Sequence, residues 1–62
     1  MPKFEIPLDQ AAKEFYEIEG RYHALYQLAR LSGPTRRRVK DAAAQANLLA
    51  RLTEKEAKKH AH

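Results

Sequence analysis

Residues 8–35 read LDQAAKEFYEIEGRYHALYQLARLSGPT, and the fold of this chain turns on how that stretch is divided. Leu8, Ala11, Phe15, Ile18, Tyr22, Leu25, Ala29 and Ser32 recur at alternating spacings of three and four. That is the a/d seam of an amphipathic helix packed against a neighbour. Gly20 lies inside the pattern and costs a helix about 1 kcal/mol relative to alanine. The seam keeps its phase from Ile18 to Tyr22 across it, whereas a turn would reset the phase. The spacing therefore predicts one helix over 9–32, with Asp9 as its N-cap. The competing organisation is a three-helix domain broken at Gly20.

Ser32-Gly33-Pro34-Thr35 ends the pattern. Glycine suits a helix C-cap, proline cannot continue the helix before it, and Ser32 or Thr35 can cap the next one. A turn at 33–34 and a second helix over 35–59 follow. The second helix carries Val39, Ala42, Ala43, Ala46, Leu49, Ala50 and Thr53 on one face. Its small residues allow close approach while the larger side chains of the first helix fill the space. Residues 1–8 read as an extended arm, because Pro7 cannot donate to a strand ladder and holds Ile6 extended. Residues 60–62 are a short tail. The expected architecture is all-α: two long antiparallel helices in a single small domain.

A chain of 62 residues without cysteine has no disulfide or thiolate metal site to support a small core. Dimerisation into a four-helix bundle is the expected support. Leu48 and Leu52 lie off the main face of the second helix and, with Tyr26 and Leu28, leave apolar surface that a lone hairpin does not cover. The apolar runs are too short to span a bilayer and no signal peptide opens the chain. A cytoplasmic protein with no membrane partner is expected.

Net charge is +4, unevenly distributed. Residues 1–20 set Lys3 and Lys13 against five carboxylates, a net −3, whereas residues 21–62 set ten Lys/Arg against three carboxylates, a net +7. In an antiparallel hairpin Glu14 and Glu17 can offset Lys55, Lys58 and Lys59 at the base. Nothing comparable serves the tip, where Arg30, Arg36, Arg37, Arg38 and Lys40 collect with only Asp41 nearby. Arginines at a helix start oppose the macrodipole by about 0.3–1 kcal/mol each, so folding alone would not select them. The free N–H groups there favour anions, and the arginines reinforce that field.

A second stripe on the first helix runs through Tyr16, Glu19, His23 and Tyr26 toward Arg30. Tyrosines and a histidine leading into arginines could stack on unpaired bases while the arginines hold phosphates. The same tyrosines could instead line a subunit interface, with Glu19 and His23 an ordinary i,i+4 pair.

The stretch Leu28–Ala42 resembles the helix-turn-helix of bacterial and phage repressors, with Ala29, Gly33, Thr35 and Val39 at the small, turn, capping and inward apolar places. The resemblance implies that Arg36, Arg37 and Lys40 face the major groove or its phosphates and that Thr35 caps the helix beside the backbone. Ser32 and Pro34 depart from the apolar residues usual at their places. A pair of such hairpins also looks like the architecture of Rop-type RNA-binding dimers. A ribbon-helix-helix reading of the arm is opposed by Pro7.

No residues suggest catalysis: there is no cysteine, no serine nucleophile with a base and no glycine-rich phosphate loop. His60 and His62 form too poor a ligand set for a metal. No enzyme, cofactor or small-molecule substrate is expected. Two functions stand: a basic nucleic-acid-binding regulator of DNA (transcription regulation) or structured RNA, and a helical interaction subunit docking on a larger acidic protein.

Overall fold

A computed structural model describes residues 5–59. Two helices account for nearly all of them: α1 (Leu8–Leu28) and α2 (Gly33–Lys59), packed against one another as a hairpin, with no strand among the described residues. Tyr16 meets Glu54, Glu19 meets Asn47 and Tyr26 meets Arg36, so residue numbers rise along one helix as they fall along the other: the pair is antiparallel. No helix among the described residues is long and apolar enough to cross a membrane. Residues 5–7 have no regular structure, and Phe4 of the expected arm lies outside the described residues.

The helix bounds shift for local reasons. Pro7, not Asp9, occupies the N-cap position of α1; its carbonyl accepts the Ala11 N–H at 2.9 Å. Asp9 lies in the first turn, where its charge suits the positive end of the dipole. α1 then stops at Leu28 rather than 32. Ala29 leaves the helix with φ −83° and ψ 146°, and the connection is Ala29–Ser32 instead of 33–34. Gly33 opens α2 and has no positive φ, so it is not a C-cap. The start of α2 decides the matter. The Ser32 carbonyl accepts the Arg36 N–H at 2.8 Å, and the Ser32 hydroxyl donates to Thr35 Oγ1 at 3.0 Å. Pro34 sits in the first turn, where its missing N–H costs nothing. With α2 fixed from Gly33 onward, the chain must reverse in the residues before it.

α1 runs unbroken through Gly20, so the three-helix organisation is not adopted. A Cβ added at Gly20 would meet nothing within 4 Å. Gly20→Ala should therefore stabilise the fold by about 1 kcal/mol, through helix propensity alone. In a chain this small that raises the thermal midpoint by roughly 4–8 °C, measurable by circular dichroism. An unchanged or lower midpoint would mean that α1 does not persist through residue 20.

Among the described residues the buried side chains are four alanines, Ala12 on α1 and Ala43, Ala46 and Ala50 on α2. The contact of α1 keeps Leu8, Phe15 and Tyr22 of the expected seam half-buried but is rotated away from its other edge. Ala12, Glu19 and Tyr26 turn toward α2, while Ile18 and Leu25 stay 38% and 48% exposed. Leu49, expected in the face of α2, is likewise 42% exposed. The side toward which α1 has turned offers polar partners. Asn47 donates to Glu19 at 3.1 Å, Tyr16 donates to Glu54 at 2.7 Å, and Arg36 lies over the Tyr26 ring. The other side offers only apolar contact.

Candidate nucleic-acid interface

The tip of the hairpin is built from the α1–α2 connection and the first two turns of α2. No acidic residue lies in the first turn of α2, and the positive end of its dipole faces the tip. Arg36 folds back over Tyr26, its guanidinium carbon 4.6 Å from the ring centroid. The contact holds a planar, charged side chain at modest entropic cost and leaves its outward N–H groups available. Tyr26, Gly33, Arg36, Arg37 and Lys40 together line one shallow depression.

The cations predicted as one cluster are thereby divided. At about 100° per residue, Arg36, Lys40 and Arg37 occupy one side of α2, and Arg38 faces the opposite side. Arg30 is exposed in the connection. Thr35 is exposed as well, its side-chain oxygen taken up by Ser32 within the turn. Among the described residues the one carboxylate contact within ion-pair distance is His23 Nε2 to Glu19 Oε2 at 3.4 Å, so no tip cation has a carboxylate partner at that range.

The aromatic stripe is divided too. Tyr26 belongs to the tip as the platform for Arg36. Tyr16 lies ten residues earlier, about 15 Å down the helix, and its hydroxyl is committed to Glu54. That hydrogen bond, with smaller contributions from desolvation and the Glu54 charge, pushes the Tyr16 phenol above its ordinary pKa of 10.0. Tyr16 is thus a clasp between the helices near their base. His23 is exposed between the two, paired with Glu19.

At the base, the expected offset of Lys55, Lys58 and Lys59 by Glu14 and Glu17 takes no ion-pair form among the described residues. Glu14 instead accepts from Gln10 at 2.9 Å. The described residues bring no three His, Cys, Asp or Glu side chains together as a metal site, and His60 and His62 lie outside them.

Three contacts between the helices were not foreseen from the sequence: Arg36 on Tyr26, Glu19 with Asn47, and Tyr16 with Glu54. All three follow once the antiparallel register is known, because each joins residues at one level of the hairpin. No family model matches this chain, and no curated protein or solved structure matches it.

Proposed function

We propose that this chain is a small, homodimeric, non-enzymatic nucleic-acid-binding protein, acting on DNA or structured RNA as a regulator in the cytoplasm. It grips phosphates with the hairpin tip. The observation that carries the reading is the tip itself. Arg36, Arg37 and Lys40 share one side of a helix N-terminus, one of them pre-positioned on Tyr26, and none of them forms an ion pair with Asp41, the nearest carboxylate in sequence. Uncompensated cations on a helix start, clustered around a ring, make a site for a polyanion.

Phosphate contact suits this hairpin better than base reading of the repressor type. Gly33 belongs to α2 rather than to a turn, and the two helices lie side by side along their length. The recognition role that the resemblance implies for Arg36, Arg37 and Lys40 becomes backbone clamping, with Arg30 at its edge and Thr35 holding the turn.

Fluorescence anisotropy with labelled duplex DNA and a structured RNA, across a salt series, tests this directly. Binding should weaken steeply as salt rises, each phosphate contact contributing a slope of about −0.9 on duplex DNA. No binding at modest salt would end the proposal.

One observation favours a second reading. Leu28 is 84% exposed at the end of α1, close to the cations, and Leu48 and Leu52 are half exposed on α2. Apolar anchors beside positive charge also suit an acidic protein partner, on which the chain would act as an interaction subunit.

A further inference from the structure

The hairpin is one layer of helices, 45 × 28 × 15 Å, whereas a stable domain closes two layers over a core. It exposes 5556 Å² for a mass of 7.1 kDa. A compact chain of that mass exposes about 4,100 Å². The excess, roughly 1,400 Å², is more than the ~800 Å² that each partner contributes to a standard interface.

Part of the uncovered area forms one flank, apart from Leu28, Leu48 and Leu52, which are exposed elsewhere. The contacts Tyr16–Glu54, Glu19–Asn47 and Arg36–Tyr26 mark one flank of the hairpin as polar. On the opposite flank, helical spacing aligns Ala11, Ile18 and Leu25 from α1 beside Ala42 and Leu49 from α2. Ile18, Leu25 and Leu49 are exposed there. The edges of this flank are charged in a bipolar way: Glu14 and Glu56 toward the base, Arg21 and Arg38 toward the tip, all four exposed.

We infer that a second copy of this chain, reversed end to end, covers the Ile18–Leu25–Leu49 flank, with the two-fold axis at the level of Ile18 and Asn47. Those two residues share a level because Asn47 bonds Glu19. Reversal about that level sets Ile18 on its counterpart and Ala11 on Leu25, each seven residues from the axis. Glu14 of one copy comes beside Arg21 of the other, four and three residues from Ile18. On α2, Arg38 comes beside Glu56, each nine residues from Asn47. The pattern is self-complementary in this direction alone. A copy laid in the same direction gathers the flank-edge residues Glu14 and Glu56 of both copies at one end and brings the two basic tips together, and like charges so placed oppose association. An unrelated partner has no reason to match the alternation of Glu14, Ile18 and Arg21 about a single point.

The inference rests on the homodimer of the proposed function, specifies its face and direction, and is independent of nucleic-acid binding. Sedimentation equilibrium of the full chain should give about twice 7.1 kDa at micromolar concentration. Ile18→Glu sets two carboxylates against each other at the axis, and should raise the dissociation constant about a hundredfold or more. Should that variant lose its helix as well as its partner, charge reversal supplies the second test. Glu14→Arg should weaken the dimer roughly fivefold to tenfold, and adding Arg21→Glu should restore it. A monomeric native chain overturns the homodimer and this face with it. A dimer indifferent to Ile18→Glu, or Glu14→Arg without rescue, leaves the homodimer standing and overturns the face.

Discussion

Replacing Arg36, Arg37 and Lys40 together with glutamine is expected to cut nucleic-acid affinity about a hundredfold at 0.15 M salt and to flatten the salt slope by roughly 2.7, three contacts at about 0.9 each. Glutamine keeps length and polarity, so the loss reads charge rather than packing. The three share one side of the start of α2, around the Tyr26 ring, and none of them is engaged in an ion pair. Arg38 belongs to the other side, where the inferred second copy would set Glu56 beside it. Arg38→Gln should therefore lose less than threefold and leave the slope nearly unchanged. Anisotropy titrations at four or five salt concentrations separate the two variants. Equal losses from Arg38→Gln and from any one of the other three would dissolve the division of the tip, and an unchanged slope in the triple variant would remove the tip from binding altogether.

The charge that defines this site is legible in the sequence because it depends on composition alone: five cations and one turn signal within a few residues. The sidedness is not legible at that level. Arg36, Arg37 and Arg38 are adjacent letters, and only a fixed helix start assigns each an azimuth. That start depends on Ser32 closing the first turn, which displaced Gly33 from cap to helix and moved the reversal onto Ala29–Ser32. The Tyr16, His23 and Tyr26 stripe reads as one feature by spacing. Its members separate because each finds a different partner: Glu54 on the facing helix, Glu19 one turn back, and Arg36 at the tip.

Helix number, direction and continuity through Gly20 were readable because the apolar phase survives the glycine. The rotation of α1 was not. A heptad seam specifies that a face is covered and says nothing of how many neighbours cover it. α2 takes the half of that seam that carries Leu8, Phe15 and Tyr22, together with Ala12, Glu19 and Tyr26 beside it, leaving Ile18 and Leu25 outside. A seam that one neighbour half covers is what a helix presents in a four-helix bundle, where two neighbours share it. The sequence pattern and the second copy inferred above thus account for the same residues.

The alanines of α2 set how closely the helices approach, and Ala50→Leu should expose that limit. Ala50 is 0% exposed and faces α1 with Ala43 and Ala46 on the same side. Three added carbons there have no void to enter, since small residues at this seam are what lets the backbones come together. Overpacking of this kind costs about 1–3 kcal/mol. A 62-residue chain holds only about 3–9 kcal/mol in all. The thermal midpoint should fall by roughly 4–24 °C. Ala44→Leu makes the same chemical change at an exposed position of the same helix, and should stay within about 0.5 kcal/mol of the parent. Thermal melts of the two variants, read side by side, cancel helix propensity and leave packing. If Ala50→Leu melts with Ala44→Leu, the helices do not meet at Ala50, and the register that puts Arg36 on Tyr26 and Ile18 level with Asn47 fails with it.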